Sequence, residues 1–287
     1  KLWIMICLVL ITLQIRKQLK KQQPINPSQE NLIEIDPPRI SFSALKTWHE
    51  CSYKHKLVYI DKIKKFNGNE YTAFGTALHT VCENYVFNKD VEFLPLFEQE
   101  LKDVFPDNGY DKKLVESMKE SAPRIMPEII PALNEYFESF EVIAVEEPLL
   151  ENIVEFNTDL KFKGFIDLVL KTPDGKYHII DWKTCSWGWD LKRRSDRITT
   201  YQLTLYKKYY SNKYNINMKD IETHFGLLKR TAKKNHVEIF RVTSGDRKVS
   251  NALNLLEKAI KNIDKGFTVK NRLSCKRCEF YKTEYCE

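Results

Sequence analysis

The stretch GFIDLVLKTPDGKYHIIDWKT, residues 164–184, places two aspartates and a lysine inside runs that are otherwise apolar. Pro173-Asp174-Gly175 offers a proline to open a type I turn and a glycine for the left-handed position, the composition of a three-residue hairpin loop. Counting outward from that loop, Thr172 faces Lys176, Lys171 faces Tyr177 and Asp167 faces Asp181. Side chains alternate faces with a period of two, so Asp181 and Lys183 share a face and Asp167 joins them. Opposed Cβ atoms stand about 4.5–5.5 Å apart. Two carboxylates held that close repel, and withdrawing them from water adds to the cost. A hard divalent cation, Mg²⁺ or Mn²⁺, resolves the conflict because it accepts carboxylate, water and phosphate oxygens together. The lysine then orients or deprotonates a water, or offsets charge building on a phosphate. The competing reading is a solvated face with Lys183 as a plain ion-pair partner. Phe165, Val169 and Ile179 fall on the same face and make it half-buried, which favours the metal.

Two other groups of residues have chemical potential. Three of the seven cysteines, Cys275, Cys278 and Cys286, crowd into the C-terminal CKRCEFYKTEYC, and this spacing points to a metal. An odd count without a ladder of spacings argues against a secreted disulfide scaffold. The run DLKRRSDR, residues 190–197, carries Lys192, Arg193, Arg194 and Arg197, which are candidate phosphate contacts. Trp182, Trp187 and Trp189 beside it are candidates to stack unpaired bases. Net charge is +7, from 46 basic and 39 acidic residues, a mild bias toward polyanions. No GxxxxGK[ST] loop occurs, so the sequence shows no ATP-driven motor.

The elements that must hold these residues follow from composition and period. With 287 residues, 43% hydrophobic and 30% charged, the chain is long and apolar enough for one large globular domain. Residues 1–21 form an apolar and then basic segment, either an anchor or an artefact of the start. Its apolar run of 14 residues is shorter than the roughly 20 a spanning helix needs. Residues 22–39, with four prolines, read as a linker. The domain then covers 40–287. SFSALKTWHECSYKHKLVYIDKI opens with a serine placed to cap a helix, EYTAFGTALHTVCENYVF is a second helix, and 91–140 continues helical. Strands follow in EVIAVEEPLL, NIVEF, LKFKGFIDLVLK and KYHIIDWKT, then a helix in ITTYQLTLYKKYYSN, a strand pair in IETHFGLLKR and NHVEIFRV, and a helix over 247–265. The class is α/β or α+β in a single domain.

GFIDLV followed by IIDWKT resembles the G-x-[IVL]-D … D-x-K core of the PD-(D/E)xK nucleases of the RecB-type branch. Other landmarks of that branch occur in order: FGTALHTVCE with its G-x-x-x-H histidine at His79, and YQLTLY with its Q-x-x-x-Y pair at Gln202 and Tyr206. SFSALKTWHECSYKHKLVYI resembles the opening segment, with Ser52 in place of the usual proline. The resemblance covers about residues 40–287 and implies an α/β fold with a restriction-endonuclease-like core, a central mixed sheet flanked by helices. It implies Asp167 and Asp181 as metal ligands and catalytic residues, Lys183 as the catalytic lysine, His79 as a further ligand, and Gln202 and Tyr206 along the DNA path. An additional glutamate of some members matches either Glu146 or Glu147. Members of the branch, AddB-type helicase–nucleases and CRISPR-adaptation nucleases among them, hold a [4Fe–4S] cluster on one cysteine before the nuclease motifs and three after. Cys51, Cys275, Cys278 and Cys286 match, forming a clasp between the two ends of the domain, with Zn²⁺ as the alternative ion. The seven residues between Cys278 and Cys286 exceed the family's spacing. The implied activity is a Mg²⁺- or Mn²⁺-dependent deoxyribonuclease, read as an exonuclease, in recombination, repair or CRISPR adaptation. Its partners would be DNA with a single-stranded portion and a separate helicase or recombination protein. The implied setting is a bacterial or phage-encoded cytoplasmic protein without membrane contact. The alternative is a non-catalytic DNA-binding or scaffold module on the same fold.

Overall fold

This computed structural model describes residues 37–63 and 66–287. The expectations for the segment 1–21, with Cys7, and for 22–36 of the linker lie outside the described residues. The compact unit runs from Pro38 to Glu287. It includes a first strand, β1 (Arg39–Ser41), at the end of the predicted linker. The sheet continues with β2 (Glu141–Asn152), β3 (Lys161–Lys171), β4 (Tyr177–Cys185), β5 (Ile221–Lys229) and β6 (Val237–Val242). The stretch NIVEF does not form a strand of its own: β2 ends at Asn152 and a turn follows.

Strand β3 is the axis of this sheet. It pairs antiparallel with β2 almost end to end, from Lys171 opposite Glu141 to Lys161 opposite Asn152. Its other edge is divided: β1 runs parallel along Lys161–Lys163, and β4 runs antiparallel along Leu168–Lys171. Residues 164–167 pair with neither, so the sheet forks there. Beyond β4 come β5, parallel, and β6, antiparallel, which makes the sheet mixed.

Successive residues of β3 and β4 point to opposite faces, and each face has its own core. Helices α1 (Phe42–Glu50), α2 (Ser52–His55, prolonged by a π-helical turn over Lys56–Ile60), α3 (Glu70–Tyr85), α4 (Phe93–Val104), α5 (Lys112–Ile125) and α6 (Ile129–Phe137) precede β2. A short α7 (Leu191–Arg194) and the long α8 (Arg197–Tyr214) follow β4, and α9 (Asp246–Asp264) follows β6. Val169, Ile179, Phe225 and Leu227 pack with α1, α8 and α9. Leu168, Leu170, Ile180 and Trp182 pack with α3 to α6. Burying an aliphatic side chain of this kind stabilises by about 1.5–3 kcal/mol, and both faces of the sheet contribute. Among the described residues no helix is long and apolar enough to cross a membrane.

The hairpin closes as its turn residues require. Thr172 N–H donates to Lys176 O at 3.0 Å, Gly175 takes a φ of +85°, and Lys171 opposes Tyr177. The ladder stops at Leu168–Ile180, however, so Asp167 and Asp181 are not a paired rung. The Asp167 carboxylate takes the place of a backbone carbonyl and accepts the Trp182 N–H at 2.7 Å. The stacking role expected of three tryptophans also narrows. Trp182 is buried over Gly226, where an added Cβ would stand 2.2 Å from the indole. Trp189 packs in the core against Phe225 at 5.0 Å, and only Trp187, 77% exposed, is open to solvent. Of the three apolar residues placed on the aspartates' face, Val169 and Ile179 are buried and Phe165 is exposed.

Candidate active site and cysteine cavity

Helices deliver the remaining residues to the fork. Asn69 and Thr72 cap the start of α3 reciprocally, fixing the helix that carries Gly75, His79 and Glu83 on one face. Asp196 accepts the Thr199 N–H at 2.7 Å and caps α8, which presents Gln202 and Tyr206 one turn apart. At the fork His79 Nδ1 lies 3.6 Å from Asp167 Oδ2. Lys183 Nζ lies 2.6 Å from Asp181 Oδ2, and Gln202 Nε2 donates to Asp181 Oδ1 at 2.8 Å. Gln202 also reaches Tyr206 Oη at 3.2 Å, and the Tyr206 ring lies over Gly164, leaving 2.7 Å for any Cβ there. The structure thus brings Asp167, Asp181, Lys183, His79, Gln202 and Tyr206 to one place. Gln202 bridges Asp181 and the hydroxyl of Tyr206, whose side chain is buried.

The electrostatics are those of a site short of positive charge. Burial, and then the neighbouring Asp181, push the Asp167 carboxyl well above the usual carboxylate range. Burial pulls the Lys183 ammonium down, but Asp181 and Asp167 outweigh it, and its pKa is raised. Burial lowers His79 to about 4 against the pull of Asp181, so its imidazole is neutral near pH 7 and has a lone pair to give. Asp181 is buried, and its Oδ2 is held by the Lys183 ammonium at 2.6 Å. Two buried carboxyl groups, one of them repelled by its neighbour, and a neutral imidazole fit a hard divalent cation.

The sequence left Glu146 and Glu147 open, and the structure separates them. Glu147 is tied to Lys213 at 2.5 Å and to the Tyr214 hydroxyl on α8. Glu146 follows a bulge between Val142 and Ala144, takes a φ of +47°, and lies with Glu83, His79 and Thr184 around a shallow cavity. Its carboxyl is raised by burial first, with a hydrogen bond to Glu83 opposing and the Asp181 charge adding. Glu83 is the residue that motif reading passed over; its signal was the four-residue step from His79 on one helix face.

The basic loop divides as well. Arg194 is held inside the fold by Glu238 at 2.5 Å, the Trp189 carbonyl at 2.9 Å and the Phe240 ring. Arg193 stacks its guanidinium on Trp189 at 4.5 Å, and its charge is felt at Lys183.

All four expected cysteines line one cavity of about 430 Å³. Helix α1 breaks at Cys51, whose backbone turns extended and whose Sγ accepts the amides of Lys54 at 3.5 Å and Asn271 at 3.4 Å. Ser52, standing where a proline was expected, accepts the Val269 N–H at 2.8 Å and so pins the returning tail. The long Cys278–Cys286 spacing is folded back by consecutive turns: Tyr281 N–H to Cys278 O, Thr283 N–H to Phe280 O and Cys286 N–H to Thr283 O. Leu57, Phe280 and Cys286 form a small core of their own beneath the cavity. Four sulfurs lining one space are a donor set of the kind a [4Fe–4S] cluster takes, and they do not converge as closely as a single zinc ion needs. Cys82 is buried and its thiol pushed well up by that burial, an inert packing residue.

The sequence model of the PD-(D/E)XK nuclease superfamily matches residues 39–286. Among curated proteins, one of the subunits of the ATP-dependent helicase/deoxyribonuclease of three Streptococcus agalactiae strains is 25% identical over 190 residues. That match takes in 58% of this chain but only 16% of the length of those relatives. Among solved structures, a protein from Eubacterium rectale named as a supposed exonuclease superposes with a TM-score of 0.56 at 16% identity. The superposition covers 90% of this chain and 92% of that one, a likeness of fold.

Proposed function

This chain belongs to the PD-(D/E)XK nuclease superfamily, and from that membership and the fork we propose that it is a metal-dependent deoxyribonuclease, acting as an exonuclease in recombination, repair or CRISPR adaptation. The observation that carries the reading is the intact set of Asp167, Asp181, Lys183 and His79 where β3 leaves its ladder. Mg²⁺ or Mn²⁺ bound by His79, Asp167 and Asp181 would supply polarisation of the scissile phosphate. The rest falls to the chain itself. Trp182 N–H fixes the Asp167 carboxylate, and Gln202 fixes that of Asp181. Lys183, kept cationic by the two carboxylates, offsets charge gathering on the phosphate and positions the attacking water. A groove lined by Arg39, Tyr59, Lys163 and Phe165 runs to Tyr206 and suits a single strand: cations for its phosphates and, for its bases, the exposed ring of Phe165 beside the half-buried ring of Tyr59. Arg193 and Trp187 extend the same chemistry beyond β4. Cys51, Cys275, Cys278 and Cys286 hold a [4Fe–4S] cluster in this reading, and unwinding falls to a helicase partner. The test is cleavage of a 5′-labelled single strand by anaerobically purified protein with Mn²⁺ or with EDTA, after its visible spectrum is recorded. Mn²⁺-dependent products that Asp181→Ala and Lys183→Ala abolish support the enzyme, and a brown protein supports the cluster. A protein that binds DNA and never cuts it overturns the enzyme and leaves a scaffold module.

A further inference from the structure

Three side chains of metal-binding type converge on the face of β4 and β5 that points away from Asp181. His178 stands in register with Glu222, and Ile180 with His224, so the period of two puts His178, Glu222 and His224 on one face. Their donor atoms lie within 4.8 Å of one another, and His178 Nδ1 is 3.1 Å from His224 Nε2. Tyr136 and Phe137 at the end of α6 close over the pair with ring contacts of 5.5 Å and 4.8 Å, and both imidazoles are buried.

The hydrogen bonds around the cluster fix one tautomer. Thr172 Oγ1 donates its single proton to Asp174 Oδ1 at 2.5 Å and therefore accepts from His178 Nε2 at 2.9 Å. His178 carries its proton on Nε2 and turns the Nδ1 lone pair toward His224. A hydroxyl backed by a carboxylate here takes the place of the outer partner that orients metal-binding histidines. His224 Nε2 therefore donates to His178 Nδ1 at 3.1 Å in the metal-free protein, and an ion bound between them requires that proton to move to His224 Nδ1, which is buried without a partner. Glu222 is held by Lys176 at 3.3 Å and Arg241 at 3.0 Å, both on Oε1. With metal–nitrogen bonds of about 2.0–2.1 Å, neighbouring donors of a tetrahedral site stand roughly 3.3 Å apart, close to the spacing of the two imidazoles. Two imidazole nitrogens and one carboxylate suit zinc-class ions better than magnesium.

We propose that His178, Glu222 and His224 bind a borderline-soft divalent cation, Zn²⁺ or its spectroscopic substitute Co²⁺, at a position separate from the fork and from the cysteine cavity. The bound ion ties β4 to β5 near the hairpin turn. The test is a Co²⁺ titration of the full chain in excess Mg²⁺, followed by visible absorption. The expected result is one equivalent of Co²⁺ with weak ligand-field bands and no thiolate charge-transfer, which separates it from cysteine-bound cobalt. His178→Asn and the near-isosteric Glu222→Gln each abolish that equivalent, while Thr172→Val weakens it about 10–100-fold. Circular dichroism establishes that each variant is folded, and should one unfold, the other two decide. A wild-type protein without this equivalent, or one whose Co²⁺ isotherm all three substitutions leave unchanged, overturns the proposal.

Discussion

Asn in place of Asp167 is expected to make the metal-free protein more stable while removing its activity. The Asp167 side chain is 12% exposed and its pKa is raised, by burial first and by Asp181 next. The amide keeps the oxygen that accepts the Trp182 N–H at 2.7 Å and drops the charge. Below the ordinary value of 3.8 the carboxyl is protonated folded or unfolded, and it costs nothing. As pH rises from there the unfolded chain releases its proton first, the folded state holds more protons, and stability falls until the folded carboxyl ionises too. Asn removes that loss. A buried polar group without full compensation costs about 1–3 kcal/mol, and a domain of this size shifts by about 2–4 °C per kcal/mol. In EDTA at about pH 8 the variant should therefore melt about 2–12 °C above the wild type, with the gap closing toward about pH 4. Adding Mg²⁺ should raise the wild type and leave the variant in place, since only the wild type has the full ligand set. Thermal unfolding followed by circular dichroism, at both pH values and with and without Mg²⁺, measures all of this. A variant that melts below the wild type in EDTA at about pH 8 would refute the reasoning. It would show that the fold itself wants the Asp167 anion, through Lys183, more than the site repels it.

Three further outcomes follow from single contacts. Gly226→Ala forces a Cβ to within 2.2 Å of the Trp182 ring; overpacking of that kind costs about 1–3 kcal/mol, and an unchanged melting temperature would contradict it. Gln202→Met keeps the length and loses the hydrogen bond to Asp181. The Mg²⁺ concentration for half-maximal cleavage should rise about 10–100-fold, and a fall in rate without that rise would place Gln202 on the DNA instead. Cys278→Ser should bleach the visible absorption of the anaerobic protein and let limited proteolysis release the tail from about Val269 onward, where it is pinned to Ser52; an intact tail would mean that the hydrogen bonds suffice without the cluster.

Local chemistry was legible in the sequence, and competition between distant segments was not. Pro173-Asp174-Gly175 was enough to set the hairpin's register through Lys171 and Tyr177, because a turn of that length leaves one pairing. The same count failed at Asp167, since β1 takes the lower part of β3's edge and no local signal announces it. Glu146 and Glu147 looked alike because the period of two assumes an unbroken ladder, and a bulge with a residue at positive φ defeats it. The burial of Trp182 had a readable cue in Gly226, a glycine inside an apolar strand, which marks close approach of another group. The long step from Cys278 to Cys286 is taken up by consecutive turns, the part of a chain that tolerates extra residues.

The fork and the histidine cluster differ in a way that explains the metals assigned to each. At the fork, residues 164–167 lack a partner on the β1–β4 edge, Glu146 sits at positive φ, and Trp182 is satisfied by a side chain in place of a strand. Such a place is costly, and the two cores that flank the sheet offset it. His178, Glu222 and His224 stand where β4 and β5 pair without interruption from Tyr177–Ile221 to Cys185–Lys229. There the donors are fixed by the ladder and by Thr172, with no space for a phosphate. Rigid nitrogen and carboxylate donors at near-tetrahedral spacing select for geometry, and the two carboxyl groups of the fork select for charge. Exchanging the two ions should therefore fail in both directions: excess Mg²⁺ should not displace Co²⁺ from the histidines, and Co²⁺ bound there should not support cleavage.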